Sequence, residues 1–242
     1  MPMKIRCSLF FSLLLLTFGH AQKEMMAADT IHISKISDFE VSGDGTSDNW
    51  KMASWVDVKQ RAHVNISMQT KVKVLYSDTG VYFLFSNKDK KLNASIKEDG
   101  KHLWTEDVVE VFLWPDTTKE IYFEYELSPL NYELPLMVMN IDGKPHRWQA
   151  WYFEDDRKII HKTTVQGGDK KEGSLIKAWI AEFFIPYTLL SPIGGKPPVQ
   201  GDTWRVNFNR MDYLDKKEIY WSWQDLPGSF HDINRFGTMI FE

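Results

Sequence analysis

Carboxylates gather on two nearby stretches of this chain. Glu106, Asp107 and Glu110 crowd the segment 107–113, and Glu124 and Glu126 sit within 121–127. Both stretches alternate apolar and polar residues with period two, so both read as strands. Glu110 then shares a face with Val108 and Phe112, with Asp107 on the opposite side. Tyr122, Glu124 and Glu126 share one face of the second stretch, opposite Ile121, Phe123, Tyr125 and Leu127. Acids on two strands flanking a groove would supply the carboxyl pair of a glycoside hydrolase, about 5–9.5 Å apart with one pKa raised. A solvated strand face gives the same spacing.

Two further features suit polar recognition. In 204–211, Trp204, Val206 and Phe208 point one way and Arg205, Asn207 and Asn209 the other. Arg and Asn side chains can grip vicinal hydroxyls with paired hydrogen bonds, and Arg205 can equally pair with an acid on a neighbouring strand. Trp104 follows Gly100 and precedes the strand at 107–113, a placement in a loop or at a strand rim where a flat ring can stack on a sugar face. Trp148, Trp151, Trp179 and Trp204 are expected in the core.

Other chemistries lack support. Residues 42–48 (SGDGTSD) superficially resemble a calcium loop, but the terminal bidentate Glu is missing and a turn is the simpler reading. The seven His show no HxH or HxxxH spacing, which leaves zinc unsupported. There is no nucleophile elbow, phosphate loop or dinucleotide fingerprint. The formal net charge of −4 offers no basic excess for nucleic acid.

The elements that must position these residues are strands. Period-two runs fall at 71–76, 81–85, 92–97, 107–113, 121–128, 135–141, 147–153, 158–165, 175–185, 203–211, 219–223 and 238–241, separated by Gly, Pro, Asn and Asp clusters. Ser77 to Gly80 reads as a tight turn with Gly80 at positive φ. The one helical turn expected lies at 186–190. About a dozen strands without crossover helices predict an all-β antiparallel β-sandwich with little helix, in one domain.

The N-terminus reads as an address. Lys4 and Arg6 precede the apolar run 9–18 (LFFSLLLLTF), and Gly19-His20-Ala21 fits a cleavage site after Ala21. Residues 1–21 are therefore expected to be a signal peptide, 22–30 a flexible leader and 31–242 the domain. Cleavage removes Cys7, the only cysteine, so the exported chain has no disulfide. It also takes the basic count from 29 to 27 against 33 acidic residues, a net of −6. No later stretch is long and apolar enough to span a membrane. The expected location is periplasmic or secreted.

Several stretches, in order, resemble a known family. They are 36–40 (ISDFE) with Gly43, Asp44 and Trp50; 72–76 (VKVLY) with 80–83 (GVYF); 103–112 (LWTEDVVEVF); 122–126 (YFEYE) with 128–131 (SPLN); 178–182 (AWIAE) with Ile185 and Pro186; 201–208 (GDTWRVNF); and His231 to Phe236-Gly237. Together they resemble the carbohydrate-binding module family 9-like domains over about residues 31–242. The resemblance implies a β-sandwich from exported polysaccharide-degrading systems, found alongside glycoside hydrolases. It implies a sugar held between two aromatic rings, with charged and amide groups on its hydroxyls.

The motif positions carry over to Trp104 for the first aromatic, Glu110 for the acid six residues on, and Phe230 for the second aromatic, where family members carry Trp. Asn131, Arg205 and Asn207 are expected to hydrogen-bond the sugar from strand polarity alone. Structural calcium is implied for some members, with no ligands that map here, and no other cofactor is expected. The expected function is non-catalytic binding of an oligosaccharide or polysaccharide. The alternatives are a hydrolase using Glu110 with Glu124 or Glu126, and a structural exported protein without a sugar site.

Overall fold

The computed structural model describes residues 28–61, 66, 68–215 and 217–242. The expected signal peptide and most of the leader lie outside the described residues. Thirteen strands are present among the described residues: β1 (Thr30–Ile33), β2 (Val56–Gln60), β3 (Thr70–Tyr76), β4 (Gly80–Lys88), β5 (Val108–Trp114), β6 (Ile121–Leu127), β7 (Glu133–Ile141), β8 (Lys144–Ala150), β9 (Ile160–Gln166), β10 (Ala178–Pro186), β11 (Thr203–Leu214), β12 (Lys217–Ser222) and β13 (Gly237–Phe241). The α-helix among the described residues is the single turn Tyr187–Leu190.

The strands form two layers. One runs β8-β7-β6-β5-β11-β12; the other runs β2-β3-β4-β10-β9, and β2 joins them at one edge by pairing with both β12 and β3. β11 is long enough to serve three partners: β5 on one side, and on the other β13 through its first half and β12 through its second. All pairings are antiparallel except β1 with β13. This is the expected β-sandwich.

Alternation decides which side each residue takes. Val109, Val111 and Leu113 of β5, Phe123, Tyr125 and Leu127 of β6, and Trp204, Val206 and Phe208 of β11 face the second layer. There they meet Val72, Val74, Phe83, Phe85, Trp179 and Phe183. Phe83 stacks on Phe183 at 5.1 Å between centroids and meets Phe208 edge-on at 6.3 Å. Removing a ring of this kind costs about 3–5 kcal/mol.

Local readings are revised at two places, Gly80 and the stretch 92–97. Gly80 has no positive φ; a Cβ there would come within 2.4 Å of the Ile185 carbonyl and the Phe184 ring, so close strand approach requires the glycine. The stretch 92–97 alternates but forms no strand. Three of its backbone N–H groups go to side chains: Asn93 donates to Asp107, and Ser95 and Ile96 donate to Glu106. Carboxylates thus take the donors a ladder would need. The turn Asp142-Gly143 has φ of 52° and 76°, the primed hairpin geometry that matches strand twist, and it launches the exposed edge strand β8.

Candidate functional site

The outer face of the first layer carries the other half of each alternation. Val108, Glu110 and Phe112 of β5, Tyr122, Glu124 and Glu126 of β6, Leu136 and Val138 of β7, and Asn207, Asn209 and Met211 of β11 lie on this side. A cleft of about 690 Å³ opens over it. Its walls include Trp104, Trp148, Tyr213, Tyr220 and Phe230, and its floor Glu110, Phe112, Glu124 and Glu126.

Each wall has a local cause. Trp104 sits in the 3-10 turn Leu103–Thr105, pinned by buried Leu103 and by the Tyr213 hydroxyl, which donates to the Trp104 carbonyl at 2.8 Å. Its indole stacks on His102 at 4.3 Å and meets Trp148 edge-on at 6.2 Å. Phe230 comes from the long connection between β12 and β13. Leu226, Ile233 and Phe236 of that connection pack on the outer face, the His231 ring stacks on Phe112 at 5.5 Å, and Asn140 Nδ2 donates to the His231 carbonyl at 2.9 Å. Phe230 itself meets Tyr220 edge-on at 5.9 Å.

Three of the residues singled out in the sequence therefore line one cleft: Trp104, Glu110 and Phe230. Three do not. Asn131 occupies the β6–β7 turn with φ of 74°, a backbone role Asn tolerates, and its Oδ1 faces His161 Nδ1 at 3.2 Å. Arg205 points to the outer side but reaches the far end of the sheet, where it donates to the carbonyls of Phe236 and Asn234. Asn207 is fully buried beneath the cleft. It donates to Asn209 Oδ1 at 2.7 Å and Ser222 Oγ at 2.9 Å, and accepts from the Gln224 backbone N–H. Asn209 Nδ2 in turn reaches Glu110 Oε2 at 3.5 Å, so Asn207 supports Glu110 from behind.

Trp148 corrects the expectation of a core residue. It is 51% exposed on β8 and forms a wall of the cleft, whereas Trp179 and Trp204 are buried and Trp151 is half-buried with its indole N–H on the Leu189 carbonyl. Its neighbours His146, Arg147 and Gln149 are all exposed, and that polar surround is the signal in the sequence that an edge strand, not a core strand, holds it.

The three acids are buried close together. Glu110 and Glu126 are direct cross-strand partners, and Glu124 sits opposite Phe112. Burial pushes Glu110 well up, with the Glu124 charge adding to it; burial also pushes Glu126 well up, helped by Glu110 and Glu124. Glu124 is pushed up to about 7 by burial, against a weak hydrogen bond from the Tyr122 hydroxyl. His231 Nδ1 lies 3.7 Å from Glu124, but burial lowers its own pKa and favours the neutral ring.

The sign of the resulting pH effect follows. A carboxyl that holds its proton more tightly when folded makes folding less favourable as pH rises, here from about 4.5 to about 7 for Glu124. The stability of Glu124→Gln should therefore gain on wild type between pH 5 and pH 8 in thermal melts. A difference that stays constant across that window would contradict the assignment.

The loop that resembles a calcium site is built around a carboxylate. In the loop 42–46 the backbone N–H groups of Ser42, Gly43 and Gly45 converge on Glu182 Oε2, and Trp50 Nε1 donates to Oε1 at 2.9 Å. A ring of donors around a carboxylate is the inverse of a cation loop. The metal-like grouping among the described residues is Asp89, Asp107 and Asp212, buried at the edge of the core. Five of its six oxygens already accept N–H groups, from Lys90, Lys91, Asn93, Tyr213 and Arg210. Calcium needs six to eight oxygen ligands, so the set does not fit it, and Arg210 supplies the positive charge.

Comparison with known proteins agrees with the architecture. A family model, the carbohydrate family 9 binding domain-like domain, matches residues 42–242. No curated protein matches in sequence. A Bacteroides uniformis ATCC 8492 protein, provisionally described as carbohydrate-binding, superposes with a TM-score of 0.72 at 14% identity over 89% of this chain and 100% of its own. A family 9 carbohydrate binding module from Caldicellulosiruptor kristjanssonii, solved with cellotriose and with glucose, superposes with a TM-score of 0.64 at 16% identity. The match covers 88% of this chain and 94% or 96% of that one.

Proposed function

The chain belongs to the carbohydrate family 9 binding domain-like family, and on that footing we propose that its cleft binds a saccharide ring between Trp104 and Phe230, without cleaving it. Glu110 accepts hydrogen bonds from the sugar hydroxyls, held by Asn209 and, behind it, Asn207. The observation that carries this reading is the meeting of Trp104 and Glu110 with Phe230, which comes from the far end of the chain, in one aromatic-walled cleft. Trp148 extends the wall beyond Trp104. The setting we propose is an exported one, with the signal peptide removed after Ala21, where the protein works beside glycoside hydrolases on a polysaccharide. No helix among the described residues is long and apolar enough to cross a membrane.

The juxtaposition of Glu110 and Glu126 gives the hydrolase reading its one specific support. Hydrolysis by a carboxyl pair needs environments that push the two pKa values apart, one protonated and one ionised. Here burial moves all three acids the same way. Calorimetric titration with gluco-oligosaccharides tests the binder. Glu110→Gln should weaken affinity about 2- to 13-fold, the value of a hydrogen bond between neutral groups, because burial holds the Glu110 proton. Wild type should release no reducing ends on long incubation; release that vanishes in Glu110→Gln would establish the hydrolase.

A further inference from the structure

The acids of the cleft exceed what a neutral sugar requires. Neither oxygen of Glu126 has a hydrogen-bond partner, although the side chain is wholly buried and lines the cleft. Glu124 has only the Tyr122 hydroxyl at 3.4 Å, and Glu110 only Asn209 Nδ2 at 3.5 Å, both at the outer limit of a hydrogen bond. Among the described residues no Lys lines the cleft, and its single guanidinium, Arg147, is exposed on β8 and bridges to none of the three. A buried carboxyl without donors is costly, and three on one face multiply the cost through mutual repulsion. The missing partner is a positive charge that carries several N–H donors.

A bare metal ion suits the trio poorly. Asp89, Asp107 and Asp212 are the described acids whose oxygens converge within 4.8 Å of one another; Glu110, Glu124 and Glu126 are spread more widely. The surrounding rings of Trp104, Phe230 and Tyr220 favour a cation borne on an apolar-faced body. Building on the saccharide-binding reading above, we propose that the cleft selects a sugar bearing a protonated amine, its ammonium seated among Glu110, Glu124 and Glu126 while its ring stacks on the aromatic walls. An ammonium offers three N–H donors and the counter-charge together, and a hydroxyl in its place offers one donor and no charge.

A matched series of β-1,4 oligomers of equal length isolates the amine: glucosamine, N-acetylglucosamine and glucose units differ only at C2. Calorimetry of the whole protein at pH 6 should show the glucosamine oligomer bound about 10- to 100-fold more tightly than either neutral oligomer, the range of a charge-assisted hydrogen bond. Glu126→Gln, with its fold checked by thermal melt, should bring the three affinities within about threefold of one another. Equal or stronger binding of a neutral oligomer by wild type overturns the amine selectivity and leaves the saccharide reading standing. A preference for the amine that survives Glu126→Gln in a folded variant overturns the seat assigned to the ammonium. Binding of none of the three overturns both readings.

Discussion

Trp104→Ala is expected to lower saccharide affinity about 30-fold or more, the scale of an aromatic anchor at the centre of a binding site. The ring is half-buried and packs on the outer cluster without entering the inter-sheet core. Its loss should therefore cost only about 1–2 kcal/mol of stability, below the 3–5 kcal/mol of a fully buried ring. Calorimetry and thermal melts on the same preparation separate the two effects. Unchanged affinity would remove Trp104 from the site. A stability loss as large as that of a core tryptophan would make its role in the fold primary.

Arg210→Met carries the largest expected effect on stability. The guanidinium is fully buried, donates to Asp89 Oδ2 at 3.0 Å and Asp212 Oδ2 at 2.5 Å, and lies over the Trp221 ring at 4.6 Å. Asp107 completes the cluster; burial and the two neighbouring charges push its pKa well up, and Arg210 pulls it back. Removing one partner of a buried ion pair leaves uncompensated charge and costs about 3–5 kcal/mol. At this chain length that is a fall in melting temperature of about 6–20 °C. Adding Asp89→Asn and Asp212→Asn to the variant should recover part of the loss. A loss below about 1 kcal/mol, or one erased by calcium, would show that something other than Arg210 balances the acids.

Much of this was legible in the residues. The side each residue takes on β5, β6 and β11 follows from alternation alone, because one-residue slips would turn whole apolar sets to solvent. The pairing of Trp104 with Glu110 is what the family resemblance implies, and both line the cleft. Partner choice was less legible. Nothing in 203–211 says that the strand runs on to Leu214 and serves β5, β12 and β13 together. Alternation at 92–97 was genuine, with Leu92 and Ala94 buried, yet the backbone donors went to Asp107 and Glu106. Arg205 is polar on the outer side of β11, but it reaches the far end of the sheet, and Asn131 lies in the β6–β7 turn, on no strand face. Aromatic residues on alternating strands are usually buried, and at Trp148 only the polar residues His146, Arg147 and Gln149 around it mark the strand as an edge.

A crystal structure of the protein with a bound β-1,4 gluco- or glucosamine oligomer tests the central claim most directly. The account predicts one sugar ring between Trp104 and Phe230, with a polar group within hydrogen-bond distance of Glu110 on the outer face of the first layer. A saccharide bound elsewhere, with the cleft filled only by solvent at saturating ligand, would contradict it.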